Sequence, residues 1–112
     1  MADDCIFCKI IKGEIPSTKV YEDDKMIAIN DVAPAAPVHV LLMPKDHTAN
    51  ITTAAPELVA YMLGKVKMIA EKTGIAEKGF RVVINTGDEG GQTVKHLHIH
   101  VIGGKALGWP PC

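Results

Sequence analysis

The sequence predicts an α+β domain: a mostly antiparallel sheet with one long helix and one short one. Three observations carry that expectation. Runs of apolar and β-branched residues at positions 18–22, 26–30, 38–43 and 80–85 are bounded by turn-forming residues. Positions 56–73 instead place apolar residues three and four apart, the period of a helix. Finally, His96-Leu97-His98-Ile99-His100-Val101 alternates imidazole with aliphatic side chains, the period of a strand.

The 112 residues, 47% apolar and 22% charged, suffice for one domain (1–112) with a real core. A net charge of −1 and a pI near 6.5 suggest neither a nucleic-acid partner nor a membrane surface. No apolar run reaches membrane-spanning length, and the acidic start Met1-Ala2-Asp3-Asp4 is no leader, so a cytoplasmic location is expected. Three cysteines, two of them in Cys5-x-x-Cys8, argue against a secreted disulfide framework. Cys112 is expected to be exposed and incidental.

Ile6, Phe7, Ile10 and Ile11 predict a short amphipathic helix, ended by Gly13 and Pro16. Two strands then flank Asp23-Asp24, a hairpin turn. Ala33-Pro34-Ala35-Ala36-Pro37 is an extended loop, because its prolines bar both helix and ladder bonding. Residues 38–43 form the most apolar strand, expected to be central and covered on both faces. The long helix opens at Pro56 with Glu57 beside it and stops at Gly74. Its stripe of Leu58, Tyr61, Met62, Val66, Ile69 and Ala70 reads as core. The strand at 80–85 is a turn-length gap from the histidine strand, so the two are expected to pair antiparallel, with Asn85 near the start of the histidine run. Trp109, bounded by Pro110 and Pro111, needs a surface for its ring: its own domain or a partner subunit.

Three imidazoles on one strand face are costly for structure alone. Residues i and i+2 lie roughly 6.5–7 Å apart on a strand, so the outer two are about 13 Å apart. Ligating nitrogens sit only about 2.0–2.1 Å from zinc. One ion therefore cannot collect all three, and a division of labour follows. The lead-in Gly90-Gly91-Gln92-Thr93 offers backbone N–H groups and a hydroxyl that suit a phosphate.

The motif His96-Leu97-His98-Ile99-His100-Val101-Ile102 resembles the His-φ-His-φ-His-φ-φ signature (φ apolar) of the histidine triad (HIT) superfamily. Ile15-Pro16, Tyr21-Glu22-Asp23-Asp24, Asp31-Val32-Ala33-Pro34, Ala36-Pro37-Val38-His39, Met43-Pro44-Lys45, Gly91-Gln92 and Gly103-Gly104 with Trp109-Pro110-Pro111 are similar to the Hint branch, in order and over nearly the whole chain. Thr93 departs from the Ser common there, and Gln92-Thr93-Val94-Lys95-His96 is similar to the Fhit branch, which cleaves dinucleoside polyphosphates.

The resemblance implies a hydrolase that acts at a nucleotide α-phosphorus through a nucleotidyl-histidine on His98. His100 would bind the phosphate oxygens with the Gly91 and Gln92 N–H groups, and Thr93 would hold the bridging atom or leaving group. Asp31 would accept the ribose hydroxyls, although capping a turn is its other reading. Phe7, Ile10, Ile29 and Val32 would form an apolar slot for the base, and Asn85 would contact the ribose–phosphate side or serve as a turn residue. The substrate implied is a purine nucleoside 5′-phosphoramidate. Dinucleoside polyphosphate hydrolysis and a non-enzymatic nucleotide- or partner-binding role are the alternatives. A homodimer is also implied, with the sheet continued across it and Trp109 near the interface or the partner's site.

Cys5-x-x-Cys8 has zinc-ligand spacing. With His98 and His100 given to phosphate and His39 inside a central strand, His47 and His96 remain as further ligands. Some members of the superfamily bind structural zinc this way. The expectation is a closed Cys5–Cys8–His47–His96 site, and a closed site leaves no open position for catalysis by the metal. Two buried thiols without metal are the alternative.

Overall fold

A computed structural model describes residues 4–111; Met1, Ala2, Asp3 and Cys112, and the readings placed on them, lie outside the described residues. α1 (Ile6–Ile11) is capped by Cys5, whose Sγ accepts the Cys8 N–H at 3.4 Å. β1 (Lys19–Glu22) and β2 (Met26–Asn30) form the expected antiparallel hairpin. Asp23 fixes the turn: its Oδ1 accepts the Lys25 and Met26 N–H groups at 2.8 and 2.9 Å. Its Oδ2 accepts hydroxyls from Tyr21 and from Tyr61 on the long helical segment, which ties helix to hairpin.

β3 (Val38–Pro44), β4 (Phe80–Val83) and β5 (Ile99–Gly103) complete a five-stranded sheet in the order β1-β2-β3-β5-β4, antiparallel throughout. The most apolar strand is indeed central. The long helical segment carries one tightened turn, which divides it into α2 (Pro56–Leu63) and α3 (Val66–Lys72). There the Lys65 N–H reaches Met62 O at 3.0 Å, an i→i−3 bond.

Alternation along the strands sorts the core into two layers. Met26, Ala28, Val40, Leu42, Leu97, Ile99 and Val101 pack beneath Met62, Val66 and Ile69 of the long helical segment. On the opposite face Ile27, Ile29, Leu41 and Met43 pack against Phe7 of α1. The histidines share this second face, as Phe7 lies edge-on to both His96 and His98 and the His98 and His100 rings are 5.0 Å apart.

The regular strand is shorter than the alternation suggests. β5 begins at Ile99, so only His100 of the three lies in ladder pairing; His96 lies in a bend and His98 in the irregular segment that joins it to β5. The cause is Pro44. The β3–β5 register ends at Leu42↔Ile99, and Pro44, the next paired position but one, has no N–H to donate. Leu97 donates instead to Thr48 O at 2.7 Å, while Pro44 O accepts the His96 ring at 2.9 Å. β4 likewise stops at Val83, leaving Asn85 beyond the strand.

Candidate functional site

The segment that bends away from β3 sets the tautomer of His98. Its Nδ1–H donates to His96 O at 2.7 Å, so a neutral ring carries its lone pair on Nε2. Burial pushes this imidazole's pKa down, against the upward pull of the His96 carbonyl and of Asp31. The ring is therefore neutral at neutral pH, with its basic nitrogen defined.

His100 is fixed by a residue that sequence reasoning passed over. The Ala35 N–H donates to His39 Nδ1 at 3.0 Å. A neutral His39 must then carry its proton on Nε2, which lies 2.8 Å from His100 Nδ1. His39 donates, His100 Nδ1 accepts, and the His100 proton sits on Nε2. Asp31 Oδ2 stands 3.5 Å from His39 Nε2. The signal for His39 was present: it is the one titratable side chain in the most apolar strand, on the face opposite Val40 and Leu42. Burial, together with the nearby His98 and His39 rings, pushes His100 down to about 4.

The lead-in loop corrects the phosphate expectation at two residues. The Gly91 N–H donates to Asp88 O at 3.1 Å and the Gln92 N–H to Gly87 O at 3.0 Å. Neither points to an incoming anion. The buried Gln92 side chain is an internal brace, accepting from Gly87 N at 3.0 Å and donating to Ala49 O and Val94 O at 2.6 and 3.0 Å. Gly90 and Gly91 serve this folded loop: a Cβ on Gly90 would run into the Thr86 backbone, and Gly91 has φ +80°. Among the described residues the Thr93 hydroxyl and the N–H groups of Thr93 and Val94 make no hydrogen bond. Asn85 donates to Gly90 O at 2.8 Å and so holds the same loop.

The expected base slot is only partly assembled. Phe7 is buried with its ring centroid 4.9 Å from that of His98, and Ile29 is buried beneath it; both back the site rather than line an open slot. Ile10 is half-buried on the same cluster. Val32 is 95% exposed; it edges a cleft that also includes Asp31. Asp31 Oδ1 accepts the Ala33 N–H at 2.8 Å, so this carboxylate does cap a turn, with Oδ2 left toward His39.

Cys5, Cys8, His47 and His96 come together as expected, their ligand atoms all within 4.8 Å of one another. The His96 Nε2–H donates to Pro44 O, which leaves Nδ1 as a lone pair aimed at the sulfurs. Sγ···Nδ1 separations are 3.4 Å for Cys5–His96, 3.4 Å for Cys8–His47 and 3.6 Å for Cys8–His96. A tetrahedral zinc with bonds of about 2.3 Å to sulfur and 2.0–2.1 Å to nitrogen needs roughly 3.5 Å between them. The four donors are compatible with zinc in kind, number and spacing.

The sequence profile of the HIT domain matches residues 12–107. An uncharacterized HIT-like protein of Synechococcus elongatus is 54% identical over 99% of this chain and 99% of its own. The 14 kDa zinc-binding protein of Brassica juncea is 47% identical, covering 96% of this chain and 99% of its own. Adenylylsulfatase HINT1 of Arabidopsis thaliana is 47% identical, covering 95% and 75%. The crystal structure of a HIT family hydrolase from Legionella pneumophila superposes with a TM-score of 0.93 at 44% identity, covering 97% of this chain and all of that one (100%).

Proposed function

The chain belongs to the HIT domain family, and from that premise we propose that it is a nucleotide hydrolase acting at the α-phosphorus of purine nucleoside 5′-phosphoramidates. The observation that carries this reading is the 2.7 Å bond from His98 Nδ1 to His96 O, which leaves Nε2 as a positioned nucleophile. His98 Nε2 attacks phosphorus, the P–N bond breaks and the leaving nitrogen takes up a proton from solvent, giving a nucleotidyl-histidine and an amine. Water then attacks phosphorus and returns a proton to solvent, the bond to Nε2 breaks, and the nucleotide leaves. Imidazole is both a good nucleophile and a good leaving group, so one difficult displacement becomes two easier ones.

The His100 Nε2–H, oriented through His39, donates to the phosphoryl oxygens as charge develops on them. The N–H groups of Thr93 and Val94 take the place first expected of Gly91 and Gln92, and the Thr93 hydroxyl holds the leaving atom. Asp31 accepts the ribose hydroxyls through Oδ2. The names of the relatives support hydrolysis at such a centre: one is an adenylylsulfatase, another a hydrolase. Zinc held by Cys5, Cys8, His47 and His96 has a structural role; it braces α1 against the segment that carries His98. The active form is a homodimer with Trp109, 82% exposed in the single chain, placed near the interface.

Incubation with adenosine 5′-phosphoramidate, acid-free quenching and peptide mass mapping tests the reading. The expected adduct is an adenylyl group on His98, absent from His98→Ala. An adduct on any other residue, or a His98→Ala variant with wild-type turnover, overturns it.

A further inference from the structure

Cys5 and Cys8 stand close enough to each other to do more than hold a metal. Their sulfurs, with the His47 and His96 nitrogens, lie within 4.8 Å of one another. The Cys8 N–H donates to Cys5 Sγ at 3.4 Å, which folds the first sulfur back over the second residue. Residues three apart on a helix have Cβ atoms about 5–6 Å apart, and a disulfide needs about 3.5–4.5 Å. Cys5 lies just outside α1 with extended backbone, φ −81° and ψ 118°, so the adjustment falls on this one residue and leaves the helix in place.

The two sulfurs differ in access. Cys8 is 1% exposed, whereas Cys5 is only partly buried and lines an open cleft of about 360 Å³ with His47 and Thr93. A small polar oxidant therefore meets Cys5 first, with Cys8 behind it. A zinc-bound sulfur is a thiolate, and the thiolate is the nucleophilic form. The consequence of oxidation runs through His96. Its Nδ1 faces Cys5 and Cys8 Sγ at 3.4 and 3.6 Å, and its backbone carbonyl accepts the bond of 2.7 Å that sets the His98 tautomer.

We propose that Cys5 and Cys8 are a peroxide-reactive dithiol, whose oxidation to a disulfide expels zinc and loosens the segment that carries His98. The Cys5 thiolate attacks one oxygen of hydrogen peroxide, the O–O bond breaks and hydroxide leaves, giving a sulfenic acid. The Cys8 thiolate attacks the Cys5 sulfur, the S–O bond breaks and a second hydroxide leaves. The sulfurs give up two electrons in all, and two protons from solvent turn the hydroxides into water. A disulfide no longer offers thiolate ligands, and His47 and His96 alone cannot complete a four-ligand site, so zinc departs into solvent. The consequence at His98 rests on the nucleotidyl-His98 reading; the sulfur chemistry does not.

The test treats zinc-loaded protein, as wild type and as Cys112→Ser, with hydrogen peroxide. Released zinc is read with a coloured chelator, and the disulfide by peptide mass mapping. Zinc should fall from about one per chain to near none as a Cys5–Cys8 disulfide appears, and a dithiol reductant with added zinc should reverse both. Zinc retained beside an intact disulfide, both cysteines recovered as thiols, or Cys5 joined only to Cys112 overturns the proposal. Nitrogen NMR of the His98 ring reads the consequence without turnover. Nδ1 carries the proton in the reduced form, and oxidation should shift both ring nitrogens toward a mixture of tautomers. Adenosine 5′-phosphoramidate turnover should fall about ten-fold in parallel, the scale of disturbing a metal ligand's surroundings. Unchanged ring signals after complete zinc loss overturn the link to His98. A reduced, zinc-loaded protein with no turnover defeats the His98 reading, while zinc release and the mapped disulfide still uphold the dithiol.

Discussion

At the scale of single residues, the site depends on imidazoles that stay neutral. His100 titrates near 4 because it is desolvated and because His98 and His39 stand beside it. An unfolded chain takes up that proton near pH 6.5. The sign follows: between 6.5 and 4 the unfolded state binds more protons, so stability is full above 6.5 and is lost as pH falls toward 4. His100 is only partly buried, so its share is on the order of 1 kcal/mol after allowance for solvent screening. Melting temperatures of wild type and His100→Asn between pH 7.5 and 4.5 measure it. The variant should lose stability less steeply with acidification; parallel curves would contradict the assignment. In the same range, wild-type kcat/KM should hold well below pH 6.5 before its acid limb begins.

At the scale of elements, α1 is six residues long, too short to be helical by itself. Phe7 anchors it from below, and Cys5 and Cys8 face His47 and His96. His96 has two jobs at once: Nδ1 faces the sulfurs, and its backbone carbonyl fixes the His98 tautomer. Metal loss should therefore be felt at His98, the proposed nucleophile. Protein purified without chelator should hold roughly one zinc per chain, as a closed four-ligand site implies. Cys5→Ser should abolish that zinc, lower the melting temperature by several degrees and reduce turnover. Metal-free wild-type protein of unchanged stability would remove zinc from this picture. The elements and the Cys5-x-x-Cys8 pair were legible in the sequence because each rests on local spacing: helical and strand periods, a turn, a Cys-x-x-Cys; His47 and His96 came instead from elimination and the family resemblance. The Gly91 and Gln92 donors were misread because their partners, Gly87, Asp88 and Ala49, come from loop closure that no period encodes. His39 was set aside as part of a central strand for a related reason. Its partner is 61 positions away in sequence, and only the β3–β5 register brings them together.

At the scale of the whole molecule, the two edges of the sheet are built differently. On β1, Glu22 pairs with Lys19 at 3.0 Å and with Lys45 at 2.8 Å, and charge of this kind discourages further strand addition. On β4, Phe80 and Val82 are 37% and 39% exposed, on the face whose other strands are covered by the long helical segment. A 112-residue chain gains proportionately from burying more of its surface. In the proposed homodimer the apolar edge is where a second copy would extend the sheet, β4 against β4, with Arg81 and Val83 on the opposite face. Sedimentation at micromolar concentration should give twice the chain mass of 12.0 kDa. Val82→Glu sets a charge beside its own symmetry mate in a desolvated seam, so this variant should sediment as a monomer and melt at lower temperature. A monomeric wild type, or a Val82→Glu dimer of unchanged stability, would move the interface away from β4. Val82 projects from the face of β4 opposite to Arg81 and Val83, so the substitution leaves the face that carries His100 untouched and tests the interface alone.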